Sequence, residues 1–309
     1  MYAAVVHEFA SPPHHKEIPD PQPADGTVLA RVEASAVHQI VRLIASGRHY
    51  SGAARPPFVP GIDGVVRLPD GRRVYTGGLP PPYGMLAELA AVRPQGIAVP
   101  DGLSSAVAAA IVNPAQSSWL PLTAHLAPGA TVLVLGATGV SGSLAVQAAR
   151  LKGAARVIAA GRNAAGLQRC RELGADAAVE LGDGFADRLR HAAPDGVDLV
   201  LDYLWGPAAL AALAALDKLV APSWRETRWL QIGSAAGASI EFDAALVRSR
   251  NLRLSGHGIG SGDPAAALPA IAEVLQAAAE GRLTIDLESV PLRDIEQTWD
   301  RRARLVYEP

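Results

Sequence analysis

Two hydrophobic patterns divide the chain at about residue 112. Before that point, short stretches alternate between apolar and polar residues, as at Tyr2–His7 and Val28–Ala36, which is typical of half-buried strands. Val65–Tyr75 has two such arms around Asp70-Gly71, a pair that favours a tight hairpin turn. Prolines are frequent between these stretches, and we therefore predict a β domain with many loops.

From Thr131 onward, apolar runs of strand length alternate with stretches of helical periodicity. The predicted buried strands are Thr131–Leu135, Arg156–Ala160, Ala177–Leu181, Val197–Leu201, Trp229–Ile232 and Leu252–Ser255. The predicted helices are Ser143–Lys152, Ala164–Leu173, Pro207–Leu216 and Ala265–Glu280, and a strand-like tail follows to Val306. Such alternation predicts right-handed crossovers and a doubly wound parallel sheet, and therefore an α/β fold.

The composition indicates a globular protein with room for two domains. The chain has 309 residues, of which 49% are hydrophobic and 19% are charged, and its formal net charge is -2. A charge so close to zero gives no reason to expect a nucleic-acid or membrane-surface partner. Cys170 is the single cysteine, which excludes an internal disulfide and a multi-cysteine metal site.

The first residues and the longest apolar runs bear on localisation. The opening MYAAVVHEFA carries His7 and Glu8 within its apolar run, so we do not expect a secretory leader. Because no apolar segment reaches the roughly 20 residues that a membrane span requires, we expect a cytoplasmic protein.

A glycine-rich loop stands between the first predicted strand of the second region and the helix after it. Gly136, Gly139 and Gly142 have the spacing G-x-x-G-x-x-G. The first glycine permits a tight turn, the second lets backbone amides approach a pyrophosphate, and the third lets helix and strand pack closely. We predict a dinucleotide site that also includes Thr138, Val140 and Ser141. The alternative is a plain strand–turn–helix whose glycines only cap and pack.

The end of the second of these strands indicates which dinucleotide would bind. A site for NAD carries an acid there to accept the ribose hydroxyls, whereas this chain has Gly161, Arg162 and Asn163. Arg162 could pair with a 2′-phosphate and Asn163 could donate to it. We therefore predict NADP(H) as the cofactor, the alternative being that Arg162 is a solvated loop residue.

In the order of its sequence blocks the chain resembles the medium-chain dehydrogenase/reductase superfamily, specifically its zinc-independent quinone-oxidoreductase-like branch. The blocks are MYAAVVHEF, GTVLARVEASAVHQ, PFVPGIDGVV, GRRVYTGG, PYGMLAELAAV, PDGLSSAVAAAIVNPAQSSWLPL, LVLGATGVSGSLAVQAA, LGADAAVEL, VDLVLDYLWG and LQIGSAAG. The resemblance implies a mostly β, GroES-like catalytic domain split between residues 1–112 and 263–309. It also implies a Rossmann dinucleotide-binding domain over residues 113–262.

Departures from the zinc-dependent members bear on the metal. Those members carry zinc ligands at positions where this chain has His38, Ile62 and Asn113. Ile62 cannot bind a metal, and His38 with Asn113 alone would make a poor zinc site. We therefore expect no catalytic metal.

Without a metal, the chemistry would rest on a nicotinamide hydride and on groups that polarise the acceptor. The resemblance places His38, where the quinone reductases usually have asparagine, opposite the nicotinamide, so we expect it to hydrogen-bond or protonate the substrate. The alternative is a histidine bonded to backbone near a strand end. Tyr50 and Tyr83 could stack on a planar acceptor, or be surface aromatics. Asn113 could orient the carboxamide of the cofactor, or cap a helix.

The remaining cofactor contacts are expected at the ends of later strands and near the domain crossover. They are Ser117, Tyr203, Leu204, Gly233, Ser234 and His257. All but Ser117 follow predicted strands, and the carboxyl ends of parallel strands are where this fold binds its ligand.

These observations predict an NADPH-dependent oxidoreductase that acts on a quinone or an α,β-unsaturated carbonyl without a metal. The alternative is an NADP(H)-binding sensor or structural protein with little catalysis. The last strand of the parallel sheet, NLRLSGHGIG, is apolar and would lie at a sheet edge. We therefore also predict a homodimer.

Overall fold

The structure, a computed structural model, describes residues 1–49, 52, 54–217, 224–258, 261 and 263–309. The strands are β1 (Tyr2–Val5), β2 (His14–Glu17), β3 (Val28–Ala36), β4 (Asp63–Arg67), β5 (Arg73–Gly77), β6 (Leu89–Val92), β7 (Ile97–Ala98), β8 (Thr131–Leu135), β9 (Arg156–Gly161), β10 (Ala177–Glu180), β11 (Leu199–Asp202), β12 (Thr227–Gln231), β13 (Leu252–Gly256), β14 (Glu288–Pro291) and β15 (Leu305–Glu308). The helices are α1 (Gln39–Ala45), α2 (Ser105–His125), α3 (Val140–Leu151), α4 (Ala164–Glu172), α5 (Phe185–Ala192), α6 (Gly206–Asp217), α7 (Ala244–Ser249), α8 (Pro264–Ala279) and α9 (Ile295–Thr298).

The chain forms two compact units. The first comprises Met1–Asn113 and Ile271–Pro309, and the second comprises Pro114–Ala270. Their boundaries fall within helices α2 and α8. The sequence predicts the domain boundaries between residues 112 and 113 and between residues 262 and 263.

The second unit contains the predicted doubly wound parallel sheet. Its described strands lie in the order β10-β9-β8-β11-β12-β13, and each neighbouring pair is parallel. Strand β8 is buried along its whole length because crossover helices cover both faces of such a sheet. Leu133, Ile158, Val200 and Trp229 belong to one buried core cluster. The α/β fold class predicted from the sequence is confirmed.

The first unit is built on a mixed sheet in the order β14-β15-β3-β4-β5-β7, with β6 also paired to β3. The predicted hairpin is present as the antiparallel pair β4–β5. Its turn uses Gly71 at φ +89°, a conformation that glycine adopts without strain. The Asp70 carboxylate accepts a hydrogen bond from the Arg72 amide at 3.1 Å, which closes the turn.

Some elements differ from the expectation. The strand predicted over Tyr2–His7 ends at Val5, and the predicted strand-like tail contains the short helix α9 between β14 and β15. Helix α2, which runs from Ser105 to His125, is not among the predicted helices, and the sequence indicated a helix here only in the alternative that Asn113 caps one. It contains Pro114 and Pro121, and a proline in the interior of a helix usually breaks or kinks it.

Tertiary contacts explain how α2 tolerates Pro114. A proline has no backbone N–H, so the carbonyl four residues earlier, that of Ala110, loses its helical partner. The buried Arg304 guanidinium donates to this Ala110 carbonyl at 2.7 Å. Arg304 immediately precedes β15, and its side chain therefore satisfies the carbonyl that the proline leaves without a partner.

In the described part of the chain, no helix combines the length and the apolar character that crossing a bilayer would need.

Candidate functional site

The glycine loop connects β8 to α3 in a tight turn. The amides of Gly136 and Ala137 both donate to the Ala160 carbonyl, at 2.9 and 3.0 Å, and Gly136 has φ +84°. A Cβ on Gly142 would lie 2.2 Å from the Gly136 carbonyl oxygen. Only glycine therefore lets the start of α3 pass this close to the loop.

The start of α3 has the properties of an anion site. Gly139 is its N-cap and makes no side-chain capping hydrogen bond, and the first amides of a helix have no acceptor within the helix. Val140 is 38% exposed, so this turn is accessible. The N-terminus of a helix also carries a partial positive charge. The residues present therefore fit the pyrophosphate of a dinucleotide.

The loop lies at the point where the strand order of the sheet reverses, between β8 and β11. The structure brings Tyr203 and Leu204, which follow β11, against Gly136. A Cβ on that glycine would lie 3.0 Å from Leu204 Cδ2 and 3.3 Å from Tyr203 Cβ. Ligands of doubly wound sheets bind in the crevice at such a switch point.

Ser117 and Tyr203, both predicted to contact the cofactor, meet in the structure. The Ser117 Oγ and Tyr203 Oη atoms are 3.0 Å apart. Burial raises the pKa of Tyr203 to about 12, so the phenol stays protonated at neutral pH. These two residues are 86 positions apart along the chain, and the fold alone places them together.

Asp202 was missed by the sequence analysis, although it fixes the turn after β11. Its buried carboxylate accepts hydrogen bonds from the amides of Leu204 at 2.8 Å and Trp205 at 2.9 Å, and from the Trp229 indole at 3.1 Å. Burial raises the pKa of this carboxyl. An acid that ends the apolar run LVLD is the signal that could have revealed it.

The end of β9 and the start of α4 hold the residues predicted to recognise the 2′-phosphate. Arg162 is exposed. Asn163 is the N-cap of α4, and its Oδ1 accepts from the Gly166 amide at 2.9 Å. Its Nδ2 group is not part of this cap and would be the donor to a ligand. A Cβ on Gly161 would lie 2.6 Å from Thr138 Cγ2, which shows that Thr138 packs against this end of β9.

Gly233, Ser234 and His257 follow β12 and β13 at the same edge of the sheet. The Gly233 amide donates to the Asp202 carbonyl at 3.0 Å, and a Cβ there would lie 2.8 Å from the Tyr203 carbonyl oxygen. Ser234 is exposed. Burial lowers the pKa of His257, so its imidazole is neutral at neutral pH.

The first unit contains a buried polar network around His38. This histidine is 2% exposed, and its Nε2 lies 2.7 Å from Asp63 Oδ1. Its Nδ1 accepts a hydrogen bond from the Arg304 guanidinium. A guanidinium only donates, so Nε2 must carry the imidazole proton and donate it to Asp63. The alternative of a histidine bonded to backbone is therefore wrong.

The network keeps His38 neutral. Burial lowers the pKa of His38, and the positive charge of Arg304 lowers it further, against the opposite effect of Asp63. Arg304 also donates to the Val37 carbonyl at 3.2 Å. Burial raises the pKa of Tyr75, and the negative charge of Asp63 raises it further. Asp63 and Arg304 were not predicted as site residues, because they lie far from His38 in sequence.

The other candidates are placed differently. Asn113 lies in the interior of α2, so the alternative that it caps a helix is wrong. Tyr83 is partly exposed, and its amide donates to the Pro80 carbonyl at 3.2 Å. Tyr50 lies outside the described residues. Among the residues that are described, no group of three His, Cys, Asp or Glu could hold a metal ion.

Sequence comparison identifies relatives of this chain among known proteins. A family model described as a zinc-binding dehydrogenase matches residues 139–273. A protein of Emericella nidulans, named as a probable NADPH-dependent quinone reductase, is 31% identical over 97% of this chain and 96% of its own length. A 2-methylene-furan-3-one reductase of Solanum lycopersicum is 31% identical over 59% of this chain and 50% of its own length.

The fold also matches solved structures over its full length. The quinone oxidoreductase of Thermus thermophilus, whose complex with NADPH is also known, superposes with a TM-score of 0.83 at 29% identity, with 100% of both chains covered. The match to the Emericella protein extends over 97% of this chain and 96% of that protein. The chain therefore belongs to the medium-chain dehydrogenase/reductase superfamily, in its quinone-oxidoreductase-like branch.

Proposed function

We propose that this protein is an NADPH-dependent oxidoreductase that reduces a quinone or an α,β-unsaturated carbonyl. The observation that carries the proposal is the glycine loop at the switch point of the sheet, combined with Arg162 in place of an acid after β9. The names of the relatives support it, because they describe NADPH-dependent quinone reduction and reduction of a methylene-furanone. Bound NADPH would supply the hydride.

The residues of the second unit would bind and orient the cofactor. The amides at the start of α3 would hold the pyrophosphate, and Arg162 with Asn163 Nδ2 would hold the 2′-phosphate. Leu204, Gly233, Ser234 and His257 lie at the carboxyl edge of the sheet on the β11 side, where the nicotinamide half would extend.

We also propose that catalysis needs no zinc. The donor set argues for this, since Ile62 has no ligand atom and both ring nitrogens of His38 are engaged by Asp63 and Arg304. For the same reason, we propose His38 as a positioning residue that holds the segment after β3, with the substrate proton coming from solvent or another side chain. Tyr83 remains the proposed stacking partner of a planar acceptor, and Asn113 remains proposed to orient the carboxamide.

We expect the protein to bind NADPH more tightly than NADH, and Arg162→Ala to remove most of this preference. A charge-assisted hydrogen bond contributes about 1.5–3 kcal/mol, so the loss for NADPH should be about tenfold or more while NADH is unaffected. Titration followed by tryptophan fluorescence measures both constants. Arg169→Ala is the matched control, because Arg169 is an exposed arginine of α4 whose guanidinium bonds to Glu172.

Turnover then separates the two candidate functions. Oxidation of NADPH in the presence of a quinone or an enone supports the reductase. Tight NADPH binding without turnover of either acceptor would instead favour a sensor or structural protein. Equal affinity for NADPH and NADH would contradict the role of Arg162.

We further propose that the protein is a homodimer that pairs through β13. This strand has a described neighbour only on its β12 side, it is largely exposed, and Leu254 is 43% exposed. Such an edge is a ready template for pairing with a second chain, and a twofold axis would let the same strand pair with itself.

Leu254→Lys is expected to weaken the dimer by about hundredfold or more, because it removes one buried leucine from each side, at about 1.5–3 kcal/mol per side chain. Sedimentation equilibrium measures the dissociation constant. Leu268→Lys, on a 57% exposed leucine of α8, should leave it unchanged. A wild-type protein that sediments as a monomer at micromolar concentration would contradict the dimer.

A further inference from the structure

Tyr203 lies beside the glycine loop, on the side of β11. Tyr203 follows β11 and Gly136 follows β8, and these two strands are the neighbours between which the strand order reverses. In this fold the end of the second strand, here β9, recognises the adenosine ribose. The nicotinamide half must therefore extend to the other side of the loop, towards β11 and β12. Tyr203 is the first residue on that side.

The backbone of Tyr203 is held on several sides. Its amide donates to the Leu135 carbonyl at 3.1 Å, and its carbonyl accepts from the Ala235 amide at 3.3 Å. The buried Asp202 carboxylate holds the two following amides. A side chain that begins from so fixed a backbone has few orientations, which makes it suited to positioning a ligand.

The Tyr203 hydroxyl lies within hydrogen-bonding reach of two serine hydroxyls, those of Ser117 and Ser118. Ser117 Oγ donates its only proton to the Pro114 carbonyl at 2.6 Å, and Ser118 Oγ donates to the Ala115 carbonyl at 3.1 Å. Because a hydroxyl has a single proton, both serines can only accept from Tyr203, whose Oη lies 3.0 Å from Ser117 Oγ. The Tyr203 proton is therefore directed at this pair of serines, which leaves the lone pairs of Tyr203 Oη as the part of the hydroxyl that can accept from a ligand.

The phenol is also an uncharged acceptor. Burial raises the pKa of Tyr203 to about 12, so no phenolate forms at neutral pH. A neutral acceptor of fixed direction suits an N–H donor, and the amide of the nicotinamide carboxamide is the N–H donor of that half of the cofactor.

We propose that Tyr203 is a positioning residue for the nicotinamide ring, accepting a hydrogen bond from the carboxamide N–H, and that Ser117 and Ser118 fix the direction of its hydroxyl. The inference rests on the proposed NADP(H) site and adds to it a side-chain contact that recognises the amide itself. It predicts that the site distinguishes a carboxamide from a group of similar shape that lacks the N–H.

The test compares three ligands on the full-length wild type and on Tyr203→Phe. The ligands are NADP⁺, its acetylpyridine analogue, in which a methyl ketone replaces the carboxamide, and adenosine 2′,5′-bisphosphate, which has no nicotinamide. Isothermal titration gives each dissociation constant. The wild type is expected to bind NADP⁺ about three- to tenfold more tightly than the analogue, the effect of one neutral hydrogen bond. Tyr203→Phe should lose most of this preference, with unchanged affinity for the bisphosphate.

Ser117→Ala provides the matched control, because it keeps the phenol but removes one of the two serines that accept its proton. Its discrimination between NADP⁺ and the analogue should lie between those of the wild type and Tyr203→Phe. Thermal unfolding of each variant monitors the fold.

Each contrary result has a separate meaning. A wild type that binds NADP⁺ and the analogue equally, or a Tyr203→Phe variant that keeps the discrimination, overturns the inference and leaves the NADP(H) site intact. Equal weakening of all three ligands in Tyr203→Phe assigns Tyr203 to packing alone and also overturns it. A wild type that binds neither NADP⁺ nor the bisphosphate overturns the proposed function itself.

Discussion

Gly142→Ala is expected to weaken NADPH binding by about hundredfold or more and to destabilise the fold. The added Cβ would lie 2.2 Å from the Gly136 carbonyl oxygen and 2.6 Å from Ala137 Cα, and neither backbone atom can rotate away. The loop must therefore move, which displaces the first amides of α3. Two charge-assisted hydrogen bonds of about 1.5–3 kcal/mol each account for the loss of affinity. Overpacking should cost about 1–3 kcal/mol of unfolding free energy.

Gly139→Ala separates the two effects. A Cβ at Gly139 would meet only the Gly136 carbonyl oxygen, at 3.5 Å, and the backbone φ of -85° suits any residue. We expect its unfolding free energy in urea to stay within about 0.5 kcal/mol of the wild type, whereas a methyl group beside the first amides should weaken NADPH binding. If folded Gly142→Ala bound NADPH as tightly as the wild type, the pyrophosphate would have to lie elsewhere.

The second large effect is expected from Arg304→Met. Removing the guanidinium leaves the Asp63 carboxylate buried without its cation, and it leaves the Val37 and Ala110 carbonyls without their donor. Breaking a buried charge network from one side costs about 3–5 kcal/mol. Urea unfolding at pH 8 measures the difference. Arg301→Met, a half-exposed arginine of the same tail that pairs with Glu288, should cost no more than about 1 kcal/mol.

The pH dependence of this loss identifies its cause. Without Arg304, Nδ1 of His38 is free to take a proton, and the resulting imidazolium can pair with Asp63. A histidine that gains such a partner stabilises the fold below its unfolded pKa of 6.5. The destabilisation by Arg304→Met should therefore be smaller at pH 5.5 than at pH 8. An equal loss at both values would show that packing of the Arg304 side chain, rather than charge, explains the effect.

The parallel sheet was predictable because its signals are local. The strand over Thr131–Leu135 has the predicted bounds, and the loop after it contains the glycines that the turn requires. Both depend on residues within a few positions of one another. The ends of β11 and β12 moved by up to two residues from the prediction, since hydrogen bonding to neighbouring strands decides where pairing stops.

Helix α2 was not predictable by the same means. Its sequence contains Pro114 and Pro121, and propensity alone disfavours a helix through them. What stabilises the helix at Pro114 is a donor from Arg304, 194 residues away from the carbonyl it satisfies. No local pattern contains that information.

The sequence by itself determined the α/β class, the doubly wound order, the glycine loop and the absence of an acid after β9. Each of these depends on periodicity or on glycine conformation within a short segment. Only the tertiary structure decided the state of His38 and the direction of the Tyr203 hydroxyl. A proton's position depends on which donors and acceptors surround the group, and here these partners come from Asp63, Arg304 and Ser117, which are distant in sequence and adjacent only in the fold.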